Sequence, residues 1–378
     1  MRVALAFPGC HRRAGVERVV WECARFLDTR GHTVTVFANE WEEAPGSHIT
    51  YVRVPMLRRP YFLRGASFFR QCTRALHSAT YEVLNTHGCV CPTGGVHWVQ
   101  SVHHAWLERS RAMRPPLSPE RLRQKVNPLH PILLGLERKH FRKGGYRKII
   151  VTTEQVRQDL TRIFGLLEED IVIIPNGFDP ENFNPGRRRA HRKDARNALS
   201  LGETDIALLF VAHELERKGY RTILQALQLL HRPDLKVLVV GRADRQRAAV
   251  LAEAHGVSEQ VIICGPTSDV AHFHAAADLF VLPTQYEAFC LAILEALGSG
   301  LPVITSAVPG AQDAIVEGEN GSLIQDPNSG EQLALALQAY LDGQFREQIS
   351  MQVSSTVEKY QWPRVLERYE QVLLEASA

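Results

Sequence analysis

The sequence lacks several features that would assign it to a membrane or disulfide-rich class. No apolar run reaches the roughly 18 residues that a membrane-spanning helix needs. The chain begins directly with the strand-like segment RVALAF, so no signal peptide is expected. Seven cysteines occur without a C-x-x-C pair, and the lone C-x-C of Cys89 and Cys91 fits ordinary reduced thiols better than metal ligands. These absences predict a cytoplasmic chain without a structural metal.

A strong charge imbalance is also missing, since 44 Lys and Arg face 41 Asp and Glu, for a net charge of +3. Nucleic-acid binding is therefore not expected. Charge is nevertheless uneven, because residues 44–81 contain six arginines and no Asp or Glu. Basic and aromatic side chains interleave in this segment, which predicts contact with an anionic membrane or, alternatively, a solvated basic helix or an anionic acceptor site. The predicted membrane-contact residues are Arg58, Arg59, Arg64, Phe68, Phe69, Arg70 and Arg74.

The glycine fingerprint of dinucleotide-binding proteins is absent as well. The first strand-to-helix turn, FPGCHRRAGVERVV, contains Gly9 and Gly15 but matches neither G-x-G-x-x-G nor the phosphate loop G-x-x-x-x-G-K-[ST]. Gly15 is then either a plain turn glycine or a glycine that lets a phosphate approach the positive end of a helix.

Strand-like runs alternate with helical patterns through most of the 378 residues, which predicts an α/β protein with doubly wound parallel sheets. The length suggests two domains. The pattern restarts at Ile206, after the basic, loop-rich stretch that follows Pro175, which we interpret as a connector. We therefore expect an N-terminal domain of residues 1–175, joined by a C-terminal helix in 361–378, and a second domain of residues 176–360.

Two acids stand in an otherwise apolar segment, QYEAFCLAILEALGSGLPVI. The pattern predicts a helix from Phe289 to Leu297 with Glu295 about two turns inside it, while Glu287 lies in the preceding loop. A buried carboxylate needs hydrogen-bond donors, either from the protein or from a ligand. Upstream, Arg217 and Lys218 follow a predicted strand, where two adjacent cations suit a diphosphate or form a solvated pair.

Taken together, the segments resemble the family 4 glycosyltransferases, which are retaining, nucleotide-sugar-dependent enzymes of the GT-B fold. That fold implies two Rossmann-like doubly wound domains facing a cleft. The resemblance covers nearly the whole chain and rests on the E-x7-E pair with GSGLPVI, on RKG, on IIPNGFD, on AGVERVV and on the closing YQW helix. In pattern it is most similar to the lipopolysaccharide-core glucosyltransferases.

The resemblance implies a role for each motif residue. Glu295 would accept the ribose hydroxyls, and Glu287 would contact the donor sugar. Arg217 and Lys218 would neutralise the leaving diphosphate without a metal or cofactor, which fits the absence of a D-x-D motif. Gly15 would allow close approach to the β-phosphate. The remaining donor-site positions are the phosphate-facing amides of Ala288, Phe289, Cys290 and Leu291, and the base-edge residues Cys264, Gly265, Pro266 and Thr267.

The sequence departs from the family pattern in one place and leaves one position open. Many relatives carry G-R after the first strand of the second domain, whereas this chain has Ala212 and His213, so Arg217 must supply the guanidinium. The family often presents a His or Asp from the N-terminal domain to the donor sugar, and here either His103 or His104 would do so. Without the resemblance, a histidine at such a position is more often structural.

The resemblance implies transfer of a hexose-type sugar from a nucleoside-diphosphate sugar, with a UDP-sugar expected. The acceptor would be a glycan, a lipid-linked molecule or a small molecule, and the enzyme would work at the inner face of a membrane. In such enzymes the leaving phosphate is thought to help deprotonate the acceptor. Two alternatives remain: an NAD-dependent oxidoreductase with Glu40 as its ribose acid, and a noncatalytic nucleotide-sugar-binding protein.

Overall fold

The computed structural model describes residues 1–13 and 15–377, and it divides the chain into two compact units. One unit comprises Met1–Asn176 with Pro363–Ala378, and the other comprises Gly177–Trp362. The division lies one residue beyond the boundary predicted after Pro175. The first unit also includes the C-terminal segment from Pro363 onward.

The first unit alternates strands and helices. Its strands are β1 (Arg2–Ala6), β2 (Gly9–Cys10), β3 (Thr33–Ala38), β4 (Glu40–Trp41), β5 (Thr50–Arg53), β6 (Val83–His87), β7 (Val96–Val99), β8 (Lys148–Val151) and β9 (Ile171–Ile173). Its helices before the second unit are α1 (Gly15–Thr29), α2 (Arg64–His77), α3 (His103–Ala112), α4 (Pro119–Val126), α5 (Leu129–His140) and α6 (Glu154–Phe164).

The second unit repeats the pattern. Its strands are β10 (Ile206–Val211), β11 (Leu235–Val240), β12 (Val261–Gly265), β13 (Leu279–Leu282), β14 (Val303–Ser306) and β15 (Gly321–Ile324). Its helices are α7 (Pro185–Ala198), α8 (Tyr220–Leu230), α9 (Arg245–Ala254), α10 (Val270–Ala276), α11 (Leu291–Gly298), α12 (Pro309–Ala314), α13 (Gly330–Ala339) and α14 (Gly343–Gln352); the chain ends with α15 (Trp362–Ser377).

Both large sheets are parallel and doubly wound. The order in the second unit is β12-β11-β10-β13-β14-β15, so the first strand lies inside the sheet and the order in which strands are added reverses between β10 and β13. The first unit has the corresponding order β5-β3-β1-β6-β7-β8-β9, with its reversal between β1 and β6. In such sheets, ligands bind beyond the carboxyl ends of the strands at the point of reversal.

The predicted C-terminal helix is α15, which packs through an apolar face: Val365, Leu366, Tyr369, Val372 and Leu373 are all buried. The Tyr369 hydroxyl donates to Asn85 Oδ1 at 2.9 Å, in the middle of β6. This buried hydrogen bond fixes the C-terminal helix to the first sheet.

The basic stretch after Pro175 is not simply the connector that we expected, because it contains the regular helix α7. Three of its arginines, Arg188, Arg192 and Arg196, recur every four residues and face one side. Arg192 donates to Asp278 at 2.6 Å and Arg196 to the same carboxylate at 3.2 Å, while Arg188 donates to the Ala277 carbonyl at 2.9 Å. These three arginines therefore pack α7 against the end of α10.

The start of α7 allows a stability prediction. Asn184 is the N-cap, and its Oδ1 accepts the Arg187 backbone N–H at 2.8 Å, with Pro185 in the first turn. Asn184→Ala should lower the free energy of unfolding by about 1 kcal/mol, because the cap is lost. Asn184→Asp keeps the acceptor but loses the hydrogen bonds that Asn184 Nδ2 donates to the Pro180 and Glu181 carbonyls, both at 3.0 Å, so it should recover only part of the loss in urea unfolding. Equal losses for both variants would contradict the capping role.

Candidate donor-binding site

Two loops meet at the point of reversal in the second sheet, one after β10 and one after β13. The Gln285 backbone N–H donates to the Arg217 carbonyl at 2.9 Å. Gly219 makes the close approach possible, since its φ is +83° and a Cβ there would lie 2.0 Å from the Pro283 carbonyl oxygen. The glycine of RKG is therefore required by backbone packing, and it places the two preceding cations beside the second loop.

Glu287 is bound to both cations in this structure. Arg217 Nη1 donates to Glu287 Oε1 at 2.8 Å and to the Tyr286 carbonyl at 2.7 Å, and Lys218 Nζ donates to the same Glu287 oxygen. Burial acts to raise the pKa of Glu287, but Lys218 and Arg217 outweigh it and hold that pKa below its ordinary value. The site thus contains an ionised carboxylate that pairs with the two cations assigned to the diphosphate.

Helix α11 begins at Leu291, two residues later than the sequence predicted, so Glu295 lies about one turn inside it rather than two. The N-cap residue, Cys290, provides no side-chain hydrogen bond to the first turn. Free backbone N–H groups at a helix start favour an anion. Ala288, Phe289 and Cys290 lead into this turn and are buried, and Glu295 is 5% exposed.

The proposed base-edge residues lie at the end of β12, which is separated from β13 by the two strands β11 and β10. Cys264 is half-buried and Gly265 buried, while Pro266 and Thr267 are exposed. Arg245 donates to the Ile263 carbonyl at 3.1 Å and to the Cys264 carbonyl at 3.3 Å. The guanidinium of Arg245 therefore lies against this loop, a contact that the sequence did not indicate.

Sequence reasoning also missed the pairing of His213 with Arg242, two residues that follow neighbouring strands. His213 Nδ1 accepts the Arg242 backbone N–H at 3.1 Å. Gly241 has a φ of +129° and a Cβ there would lie 2.1 Å from the Ala212 carbonyl oxygen, so the two strand ends touch. Burial lowers the pKa of His213, and Arg242 and Lys218 lower it further. The available signal was the G-R dipeptide directly after the β11 pattern.

The candidate residues of the first unit lie at the starts of helices. Gly15 is the first residue of α1, and a Cβ there would meet nothing within 4 Å. Ala14, in the same motif, lies outside the described residues. His103 and His104 open α3, and both of their backbone N–H groups donate to the buried carboxylate of Glu137, at 2.5 and 3.1 Å.

The predicted membrane residues divide into two groups. The arginines Arg58, Arg59, Arg64, Arg70 and Arg74 are exposed. Phe68 is 0% exposed within a core cluster that includes Phe37, so its assignment to a membrane surface is wrong. Phe69 is half-buried and packs edge-on against His140. The large apolar side chains exposed near these arginines are instead Leu57, at 50%, and Tyr61, at 65%.

The described part of the chain contains neither a candidate membrane-spanning helix nor a candidate metal site. None of its helices combines the length and apolar character needed to cross a membrane. Across residues 1–13 and 15–377, no three His, Cys, Asp or Glu side chains form a group that could hold a metal ion.

Two parallel doubly wound units, with cations and a carboxylate at one point of reversal, define the GT-B class of proteins. Comparison with known proteins agrees. A family model described as "Glycosyl transferases group 1" matches residues 191–354, and one described as "Glycosyltransferase Family 4" matches residues 13–182. The chain belongs to glycosyltransferase family 4 and has the GT-B fold.

Individual relatives cover most of the chain. The lipopolysaccharide glucosyltransferase WaaG of Escherichia coli (strain K12) is 27% identical over 331 residues, which cover 84% of each chain. A solved structure of WaaG matches with a TM-score of 0.85 at 23% identity, covering 98% of this chain and 99% of that one. Anabaena HepE in complex with UDP-glucose matches with a TM-score of 0.73 at 18% identity, covering 99% and 100%.

Proposed function

We propose that this glycosyltransferase is a retaining, metal-independent enzyme that moves a hexose-type sugar from a UDP-sugar to a glycan, a lipid-linked acceptor or a small molecule. The observation that carries the proposal is the contact of Arg217 and Lys218 with the Glu287 loop, beside the start of α11. Two cations and a helix N-terminus at one point of a doubly wound sheet suit the diphosphate of a nucleotide sugar. The structure of HepE with UDP-glucose supports the choice of nucleotide.

The proposed reaction needs no enzymatic nucleophile. The bond between the sugar C1 and the phosphate oxygen breaks as the acceptor oxygen bonds to C1 on the same face. The acceptor proton passes to the leaving phosphate. Negative charge grows on the diphosphate, where Arg217, Lys218 and the first N–H groups of α11 stabilise it. Glu287 orients the sugar and balances the two cations before the donor arrives, and Glu295 accepts the ribose hydroxyls.

In this proposal the first unit binds the acceptor and the second unit binds the donor. We also propose a cytoplasmic location at the inner face of a membrane, because nucleotide sugars are made in the cytoplasm. The exposed arginines from Arg58 to Arg74 supply the contact with anionic lipid.

The function is tested by titrating the protein with UDP, GDP, ADP and NAD, and by measuring release of UDP from UDP-sugars with and without EDTA. We expect UDP binding, slow UDP release in the absence of acceptor, and equal rates in EDTA. The anomeric configuration of the product, read by proton NMR, should match that of the donor. Tight NAD binding without UDP binding would favour an oxidoreductase. Binding of a UDP-sugar without release of UDP, whichever acceptor is added, would favour a noncatalytic binding protein.

The membrane contact gives a separate prediction. The double variant Arg58→Glu, Arg59→Glu should lower binding to anionic phosphatidylglycerol vesicles by more than about tenfold, because each nearby cation contributes on the order of 1 kcal/mol. Vesicle sedimentation measures the effect. The control variant Arg187→Glu, Arg189→Glu reverses two exposed arginines of α7. Equal losses for both double variants, or equal binding of wild type to neutral and anionic vesicles, would contradict the proposed surface.

A further inference from the structure

Two side chains of helix α5 contact the start of α3: one binds the backbone of α3 and the other binds a side chain of α3. The N-cap of α3, Val102, provides no side-chain hydrogen bond. Instead, the Glu137 carboxylate of α5 accepts the backbone N–H of His103 at 2.5 Å and that of His104 at 3.1 Å. Glu137 is 2% exposed. A buried acid from a neighbouring helix thus takes the place of a local cap and fixes the first turn of α3.

The second contact is between imidazoles. His103 Nε2 lies 3.1 Å from His130 Nδ1, and the indole of Trp106 stacks on the His103 ring at 5.5 Å. Burial lowers the pKa of His103 to about 4, with further contributions from His130 and His104. Burial also lowers the pKa of His130, helped by Arg111 and Arg114. At neutral pH both rings are neutral, so one must donate to the other, and Nδ1 of His103 is the ring nitrogen left for a ligand.

The neighbouring histidine is held differently. His104 Nε2 lies 3.7 Å from Glu108, one turn along the same helix, and its ring meets Phe164 edge-on. Within the described residues, the His104 imidazole makes no hydrogen bond, ion pair or ring contact with α5. The two candidate histidines therefore differ, since only the side chain of His103 shares a hydrogen bond with a buried partner from α5.

We propose that His130 and Glu137 are positioning residues that act through His103: Glu137 fixes the backbone of the first turn of α3, and His130 fixes the ring and tautomer of His103. The inference rests on the proposed function and on the implication of the family resemblance that His103 or His104 acts on the donor sugar, and it assigns that role to His103. His130 thereby determines whether His103 presents Nδ1 as a donor or an acceptor to a sugar hydroxyl.

Glu137 adds a pH dependence to this arrangement. Burial raises the pKa of Glu137 to about 7, although the two backbone N–H groups that donate to its carboxylate act to lower this pKa. Cys89 is a further titratable group that senses this carboxylate, since burial and, after it, the charge of Glu137 raise the pKa of the Cys89 thiol to about 12. When Glu137 is protonated below pH 7, one of its two oxygens ceases to be a good acceptor. Turnover of the wild type should then fall as the pH drops through about 7, a step that Glu137→Gln should lack.

The side-chain part of the proposal is tested with His130→Phe, which keeps a ring but removes Nδ1, and His130→Asn, which returns a polar atom near the same place. With UDP-glucose as donor and UDP release as readout, His130→Phe should lower kcat by about tenfold with little change in KM, since one orienting hydrogen bond is lost. His130→Asn should recover most of that loss. His255→Phe, at a half-buried histidine of the second unit, is the matched control.

A readout without substrate separates this inference from the proposed function. Long-range nitrogen-proton NMR of the histidine rings reports tautomers directly, and the His103 signals should change in His130→Phe while those of His104 stay in place. Unchanged His103 signals, or wild-type kcat in His130→Phe at an unchanged melting temperature, would overturn the positioning role. If wild type releases no UDP from UDP-glucose, the donor assignment fails, and the NMR result still decides whether His130 fixes His103.

Discussion

Lys218→Met is expected to lower turnover by roughly 100- to 1000-fold, as for the loss of one preorganised charge that stabilises a transition state. The ammonium group lies at the point of reversal, where it contacts Glu287. In the proposed reaction it neutralises the diphosphate as the bond to the sugar breaks. Because that charge is greatest in the transition state, the loss should appear mainly in kcat and less in the affinity for UDP-glucose.

The same substitution has a structural effect that must be separated from the catalytic one. It leaves the buried Glu287 with a single cation, Arg217, at 2.8 Å. Removing one partner of a buried ion pair costs about 3–5 kcal/mol, and the remaining arginine should keep the loss toward the lower figure. The double variant Lys218→Met, Glu287→Gln removes both charges together, so it should recover much of the melting temperature without recovering turnover.

Turnover is followed as UDP release from UDP-glucose, and stability as the melting temperature of the ligand-free protein. Lys193→Met, at an exposed lysine of α7, is the control for a lost surface charge and should match wild type in both measurements. Glu287→Gln alone is the reference for the double variant, because it lowers turnover by itself. A double variant with the same turnover as Glu287→Gln would show that Lys218 acts only by pairing with Glu287.

Much of the fold follows from the sequence because most strands are continuous apolar runs, which is typical of parallel strands covered on both faces. The strands at β6 and β7 were not predicted, since polar residues occupy positions that proved to be buried. Asn85, His87 and His97 are each at most 2% exposed. Asn85 Nδ2 donates to the Val96 carbonyl at 3.0 Å and His87 Nε2 bonds to Asn85 Oδ1 at 2.9 Å. Such polar strands are stable only through partners that a single segment does not reveal.

In the candidate site, too, short local motifs could be predicted from the sequence, whereas contacts between distant residues could not. The E-x7-E and RKG segments were recognisable because each is a short motif with its own spacing. The ion pair between Arg217 and Glu287 joins residues 70 positions apart, and it depends on how β10 and β13 align in the sheet. Glu137 reaches His103 across 34 positions in the same way. Sequence patterns thus located the functional segments, while the pairing between them required the fold.

Substitutions of the two acids in the E-x7-E motif, Glu287 and Glu295, should have different effects on nucleotide binding. Glu295→Ala should weaken UDP by about 1.5–3 kcal/mol, because the ribose loses a charged hydrogen-bond acceptor. The UDP-sugar should lose the same amount, since both ligands contain the ribose. Glu287→Gln should leave UDP affinity unchanged or raise it, because it releases Arg217 and Lys218 from their present carboxylate partner. Its turnover should nevertheless fall strongly, since the reacting sugar loses an orienting contact.

Calorimetric titration with UDP, beside melting curves of the ligand-free protein, distinguishes the ribose role of Glu295 from a structural one. Glu295 is buried in α11, so a purely structural acid would show its loss as a lower melting temperature, with UDP affinity intact. Glu295→Gln preserves the shape of the side chain and serves as the matched variant: it should weaken UDP through the lost charge while disturbing packing little. Equal UDP affinity in wild type, Glu295→Gln and Glu295→Ala would refute the ribose assignment and leave the motif with Glu287 as its functional acid.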